Sequence, residues 1–126
     1  MKLAVLVGEL DDYTPAKYCF DAVKFKKQRG WNIDLTVLEG AHHGFIRTSG
    51  PKSSQSWTFG GCGPIEIDDE GYETSKEYGF SSRDGWKNLI KKAVKTCAKR
   101  GVTVGGSNKT AKATLEYTVK FFSENL

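Results

Sequence analysis

One short stretch near the start of the chain decides the fold class: Leu3-Ala4-Val5-Leu6-Val7-Gly8. Five apolar residues follow one another without a break, and a glycine ends the run. This is the composition of a strand that is buried on both faces of a parallel sheet. Residues 3–8 therefore predict a parallel sheet in an α/β fold.

The residues that follow supply the other parts of a βαβ unit. Thr14 suits the cap of a helix, Pro15 suits its first position, and Gly30 is placed to end it. In residues 32–38 apolar and polar side chains alternate, as in a half-exposed edge strand. We expect a βαβ unit with two parallel strands and a right-handed crossover over residues 2–41.

The rest of the chain predicts two further helices after a long irregular segment. Residues 47–82 are rich in Gly and Ser and have no sustained periodicity, so we expect an excursion with one short strand at residues 64–67. Apolar residues recur at helical spacing in residues 84–125, where Asp84 is placed to cap the first of two helices. A length of 126 residues suggests a single domain.

Composition and charge restrict the classes of protein. The sequence has no apolar run of about 18 residues and no signal-peptide pattern, so neither a membrane span nor secretion is expected. Cys19, Cys62 and Cys97 are odd in number and far apart, which predicts free thiols in a reducing, cytoplasmic compartment. The net charge of +4 falls on helix-like segments, which favours solvated helix faces over a nucleic-acid surface.

Acidic and imidazole side chains follow the two predicted strands. Asp11 comes shortly after the first strand, and His43, beside the only other histidine, His42, comes after the second. Because the carboxyl ends of adjacent parallel strands meet at one edge of a sheet, we expect Asp11 and His43 to meet there. A carboxylate that accepts the Nδ1–H of an imidazole fixes its tautomer, as in the acid–base half of a catalytic triad. The pattern alone leaves open a surface turn that merely contains two histidines near acids.

Two motifs resemble the C-terminal part of the dienelactone hydrolase family, whose members are α/β-hydrolases. Residues 8–16, GELDDYTPA, match the family pattern Gly-x-x-Asp-x-x-x-Pro-Ala, and residues 41–45, AHHGF, match Ala-x-His-x-Phe. The resemblance implies that residues 1–126 form the C-terminal half of an α/β-hydrolase-like fold. A segment of residues 101–106 before a closing helix also resembles some bacterial members.

The resemblance also implies roles for individual residues. Asp11 falls on the triad acid and His43 on the triad base, whereas His42 and Asp12 fall on positions without a catalytic role. Arg47 falls on an arginine that binds the substrate carboxylate in some members.

The nucleophile of the family is not among these residues. In the family a Ser or Cys on a sharp strand-to-helix turn precedes the acid, and no Gly-x-Ser-x-Gly or Gly-x-Cys-x-Gly segment occurs in the sequence. The nearest approach is Gly60-Gly61-Cys62-Gly63-Pro64, which follows the histidine and lacks the last glycine. A relocated Cys62–His43–Asp11 site is one interpretation, and a free cysteine in a glycine-rich loop is the other.

The resemblance thus implies an ester or lactone hydrolase that needs a complementary N-terminal half to supply its nucleophile. The alternative is a non-catalytic binding or assembly protein derived from a truncated hydrolase. No cofactor and no metal are expected, and a small anion is the candidate ligand. A homodimer is expected because residues 3–7 would leave one long apolar strand edge unpaired.

Overall fold

The computed structural model describes all residues, Met1–Leu126. Their contacts divide the chain into two compact units. Unit 1 comprises Met1–Ser54 and Thr103–Leu126, and unit 2 comprises Gln55–Val102. Residues 55–102 gather around a small core of their own, and the single domain stays a prediction.

Unit 1 contains the predicted βαβ unit. Strand β1 (Leu3–Gly8) pairs in parallel with β2 (Ile33–Leu38), in a register that runs from Leu3 opposite Ile33 to Gly8 opposite Leu38. Helix α1 (Lys17–Lys27) lies between them in the chain and contacts β2. The fold is thus a mixed one of helices and strands, as the α/β prediction requires.

The burial of β1 differs from the prediction. Only Val7 and Gly8 are buried, and the preceding four residues of the strand are half-buried. The expectation of a strand covered on both faces is wrong within this chain, since a sheet of only two strands offers little cover. The other edge of β1 has no paired strand.

The start of α1 also differs. The helix begins at Lys17, with Ala16 in the capping position and no side-chain cap. Thr14 does not cap it, because its hydroxyl is hydrogen-bonded to Asp11 instead. Gly30 follows the helix with φ of 79°, the left-handed conformation that the predicted glycine stop requires.

Unit 1 is completed by the last part of the chain. Strand β7 (Lys99–Val104), which the sequence analysis did not predict, brings Val104 into a parallel bridge with His43. Helix α3 (Asn108–Asn125) follows a capping box formed by Ser107 and Thr110. The Thr110 hydroxyl also donates to the Phe45 carbonyl at 2.9 Å, which fixes the segment after His43 to the start of α3.

The segment expected to be irregular contains four strands. Strand β3 (Lys52–Thr58) carries the chain from unit 1 into unit 2 and pairs with β7. Unit 2 holds a small antiparallel sheet in the order β4 (Glu66–Ile67), β5 (Glu73–Ser75) and β6 (Phe80–Ser81). The predicted short strand is therefore present as β4, but the segment has more regular structure than expected, because β4, β5 and β6 pair with one another and β3 pairs with β7.

Helix α2 (Trp86–Thr96) packs onto the core of unit 2. Asp84 does not cap it, since this residue ends a short 3₁₀ turn and Gly85, with φ of 90°, occupies the capping position. The hydrophobic core of unit 2 is a cluster of five buried residues, Cys62, Phe80, Leu89, Ala93 and Cys97. Leu89 and Ala93 come from the apolar face of α2, as the helical spacing predicted.

A disulfide joins Cys62 to Cys97 across a sequence separation of 35 residues. The prediction of three free thiols is therefore wrong for two of the cysteines, and Cys19 alone is free. Cys62 is fully buried and Cys97 is 8% exposed. Spacing in the sequence does not show which cysteines meet. The inference of a reducing compartment depended on free thiols, so it loses its basis.

No helix combines the length and the apolar character that crossing a bilayer requires.

The acidic residues 68–70 form a turn in which the Asp68 and Glu70 carboxylates pair with Arg83 at 2.7 and 2.9 Å. The Arg83 guanidinium also lies over the ring of Tyr72.

Candidate active site

The loops after β1 and β2 are joined by hydrogen bonds, as expected for the ends of two adjacent parallel strands. The Leu10 amide donates to the Ala41 carbonyl at 2.9 Å. The Gly40 amide donates to the Glu9 carboxylate at 2.8 Å. These contacts place the two predicted catalytic segments side by side.

Gly8 permits this close approach. A Cβ atom at this position would lie 2.5 Å from the Ala41 carbonyl oxygen and 3.2 Å from that of His42. Real side chains do not tolerate such contacts with backbone, so any other residue at position 8 would push the loops apart. The glycine of the first motif thus has a steric role at the site.

Asp11 and His43 form the pair that the sequence analysis predicts. The Asp11 Oδ2 atom lies 3.0 Å from His43 Nδ1. The Asp11 side chain is 8% exposed, whereas that of His43 is 37% exposed. The carboxylate is therefore largely enclosed, while the imidazole reaches solvent. His43 Nε2, on the other side of the ring, has no hydrogen-bond partner.

The Asp11 carboxylate is surrounded by donors from its own loop. Its Oδ1 atom accepts the backbone N–H groups of Tyr13 at 2.9 Å and Thr14 at 2.7 Å. Its Oδ2 atom accepts the Thr14 hydroxyl at 3.0 Å, in addition to His43. Partial burial by itself would raise the pKa of Asp11, but the hydrogen bonds from the Thr14 amide, His43, the Thr14 hydroxyl and the Tyr13 amide outweigh it and lower that pKa. Asp11 is therefore ionised at neutral pH.

Two neighbours of Asp11 hold the imidazole ring, and the sequence analysis assigned neither of them to the site. The Tyr13 ring meets the His43 ring edge to face, with centroids 4.7 Å apart. The Thr14 hydroxyl lies 3.2 Å from His43 Nδ1. The spacing Asp-x-x-Thr, typical of side chains that bind nearby backbone and each other, is the signal that would have found Thr14.

His42 points elsewhere, as expected. Its Nδ1 atom lies 3.1 Å from the Leu10 carbonyl, so the ring ties the two loops together. Asp12 likewise forms no hydrogen bond with either histidine, and both of its oxygens accept the Thr103 amide. Asp11 and His43 therefore form a pair, whereas Asp12 and His42 each bind a backbone group.

Arg47 lies on the exposed turn that follows His43. Its Cδ and Nε atoms are 3.7 Å from the position that a Cβ on Gly44 would occupy, so the side chain folds back toward that glycine. The guanidinium has no ion-pair or hydrogen-bond partner. Arg47 is thus a free cation near the pair in the chain but not part of its hydrogen-bond network.

Cys62 is not an alternative nucleophile. Its sulfur is bonded to Cys97, and the residue is fully buried. A disulfide sulfur has no thiolate to attack a carbonyl. The relocated Cys62–His43–Asp11 site is therefore wrong.

No protein-family model, curated protein or solved structure matches this chain. The structure also contains no group of three or more His, Cys, Asp or Glu side chains arranged to hold a metal ion. What the molecule does must accordingly be argued from the Asp11–His43 pair itself.

Proposed function

We propose that this chain carries the acid–base half of an ester or lactone hydrolase site of the dienelactone hydrolase type. The observation that supports the proposal is the 3.0 Å contact between Asp11 Oδ2 and His43 Nδ1 at the ends of two adjacent parallel strands. An ionised, largely enclosed carboxylate against one ring nitrogen leaves the other nitrogen open to accept a proton.

The chemistry requires a Ser or Cys from outside these residues. His43 Nε2 takes the proton of that nucleophile as it attacks the ester carbonyl, and Asp11 stabilises the imidazolium that forms. The proton then passes to the leaving alcohol, and His43 activates water to hydrolyse the acyl-enzyme. Arg47 supplies a positive charge for an anionic group of the substrate.

The test is a complementation experiment. The chain is expressed together with, and in a second version fused behind, an N-terminal half of a dienelactone hydrolase-type protein that carries the nucleophile. We expect hydrolysis of p-nitrophenyl acetate and of a lactone to appear only in the assembled protein. His43→Ala and Asp11→Asn should each lower kcat by about 10³-fold or more, whereas His42→Ala should retain most of the activity.

The chain alone should show no burst of p-nitrophenol, because nucleophile and oxyanion hole supply most of acyl-transfer catalysis. A burst from the chain alone that survives in His43→Ala would show a reaction at some other residue. An assembled, folded protein without any hydrolysis would contradict the proposal.

A second candidate is a non-catalytic binding or assembly protein. It is favoured by the disulfide, which leaves Cys62 without a thiol that could act as the nucleophile beside His43. In this case the free Arg47 cation would bind a small anion while the Asp11–His43 pair serves only to hold the loops. Calorimetry with acetate and phosphate would then show binding that Arg47→Gln abolishes and His43→Ala leaves unchanged.

A further inference from the structure

The Thr14 hydroxyl, the Asp11 carboxylate and the His43 ring form a closed triangle of polar atoms. Thr14 Oγ1 lies 3.0 Å from Asp11 Oδ2 and 3.2 Å from His43 Nδ1, and the latter two atoms are 3.0 Å apart. All three distances are within hydrogen-bonding range. Few protons can lie between these three atoms, and the number of protons determines which atom donates to which.

Asp11 Oδ2 is ionised and can only accept, and Thr14 carries a single hydroxyl proton. If His43 Nδ1 lacked a proton, its lone pair and the carboxylate oxygen would compete for that one proton while facing each other at 3.0 Å. If Nδ1 carries the proton, it donates to Asp11 and to the Thr14 oxygen, and the Thr14 hydroxyl donates to Asp11. Only the second arrangement leaves no two acceptors in contact.

Thr14 also prevents the carboxylate from rotating. Its amide holds Asp11 Oδ1 at 2.7 Å while its hydroxyl holds Oδ2 at 3.0 Å, so one residue binds both oxygens. The Tyr13 amide adds a second donor to Oδ1. The carboxylate thus presents Oδ2 to the ring in one orientation.

We propose that Thr14 is a positioning residue whose hydroxyl keeps His43 in the tautomer with the proton on Nδ1 and the lone pair on Nε2. The tautomer itself does not depend on the proposed function. Only its use in catalysis rests on that function, since the basic Nε2 is the atom that would accept the proton of a nucleophile. Thr14 itself touches no reacting atom. It acts through Asp11 and the ring that Asp11 orients.

The tautomer can be measured in this chain alone by the ¹⁵N shifts of the histidine rings at a pH where His43 is neutral. In the wild type we expect the Nδ1–H form to dominate. Thr14→Val, which keeps the backbone contact and removes the hydroxyl, should lower the ratio of Nδ1–H to Nε2–H by about fivefold, the effect of one ordinary hydrogen bond. Thr14→Ser should restore the ratio to within about twofold of the wild type.

Two internal references accompany the measurement. Thr48→Val removes the hydroxyl of an exposed threonine of the same unit that has no side-chain partner, and it should leave the His43 ratio unchanged. The His42 ring, which binds Leu10 rather than Thr14, should keep its shifts in every variant. If Thr14→Val does not fold, Thr14→Ala removes the same hydroxyl without a branched methyl group.

An unchanged ratio in Thr14→Val, or an equal fall in Thr14→Ser, would overturn the inference. Because no nucleophile takes part, this outcome is independent of whether the assembled protein hydrolyses esters. A Thr14-dependent tautomer together with an inactive assembly would instead contradict the proposed function and leave the role of Thr14 standing.

Discussion

Asp12 binds the backbone amide of Thr103 through both carboxylate oxygens, at 2.8 and 3.1 Å, across 91 residues of chain. The loop after β1 is thereby fixed to the strand that returns the chain to unit 1. The neighbouring acid, Asp11, binds only its own loop and His43. Two adjacent carboxylates thus have separate partners: Asp12 binds a remote backbone amide and Asp11 binds the His43 ring.

This separation predicts different effects of the two acids on stability and on the ring. Asp12→Ala should lower the free energy of unfolding by about 1 kcal/mol, since a charged acceptor is lost in an exposed setting, while the His43 tautomer stays as in the wild type. Urea denaturation and ring ¹⁵N shifts measure the two effects. Asp21→Ala removes an exposed α1 carboxylate that has no partner and is the matched control; an equal loss in both variants would show that the Thr103 contact contributes nothing.

The disulfide should stabilise unit 2 in particular. A cross-link over a separation of 35 residues restricts the unfolded chain and raises the free energy of unfolding by about 3–4 kcal/mol. The double variant Cys62→Ser, Cys97→Ser should therefore lose amide-exchange protection in α2 and β4–β6, while β1 and β2 keep theirs. Cys19→Ser, which changes the free cysteine, should resemble the wild type. Protection lost evenly over both units would argue against this picture.

Gly8→Ala tests whether the close approach of the loops matters. Its Cβ would lie 2.5 Å from the Ala41 oxygen, so the loops must separate. We expect a loss of about 1–3 kcal/mol in stability, typical of overpacking, together with a weaker Asp11–His43 contact seen in the ring shifts. Gly50→Ala, where a Cβ meets no atom within 4 Å, should be close to neutral. If the ¹⁵N shifts of the His43 ring in Gly8→Ala equalled those of the wild type, the Asp11–His43 contact would not depend on the close approach of the loops.

The lowered pKa of Asp11 predicts how its contribution depends on pH. The folded state binds this proton more weakly than the unfolded chain, in which the pKa of the Asp carboxyl has its ordinary value of 3.8. The stabilisation is therefore fully present above that value and is lost as the pH falls through the lower folded pKa. Asp11→Asn should be less stable than the wild type at pH 7, and the gap should close in strong acid. If the difference in the free energy of unfolding between the wild type and Asp11→Asn increased on acidification, the pKa of Asp11 would not be lowered.

The unpaired edge of β1 predicts self-association. β1 pairs only with β2, and α3 exposes Leu115, Val119 and Phe122 by 64%, 60% and 51%. We expect a homodimer in sedimentation equilibrium at micromolar concentration, since such edges and patches favour pairing with a second copy. Val119→Lys should weaken the dimer if α3 forms the contact and leave it intact if the β1 edge does. A stable, well-folded monomer at these concentrations would refute the prediction.

Sequence reasoning was most accurate where the structure follows from local pattern. The apolar run of β1 and the alternation in β2 predict two strands, and the helical stretch between them favours parallel pairing, which the structure has. From this alone Asp11 and His43 were expected to meet, and their 3.0 Å contact confirms the expectation. Their catalytic role and the hydrolase resemblance stay predictions.

The features that the sequence did not reveal depend on which distant segments meet. Cys62 and Cys97 form a disulfide rather than free thiols, and Asp12 reaches Thr103, because the fold brings together groups that no short spacing relates. β7 was missed since its run of alternating residues is short and lies beside glycines. The sequence predicts Thr14 as a helix cap, because a threonine hydroxyl can accept a helix amide as readily as it can donate to a carboxylate such as that of Asp11.

What the sequence by itself determined is the βαβ unit and the placement of an acid and a histidine at its carboxyl edge, because strand period and the parallel pairing rule act over short distances. Only the tertiary structure decided which oxygen and which ring nitrogen meet, that Thr14 joins them, and that Cys62 is closed to chemistry. These outcomes depend on hydrogen-bond geometry and on a cross-link between remote residues, and neither is encoded in periodicity.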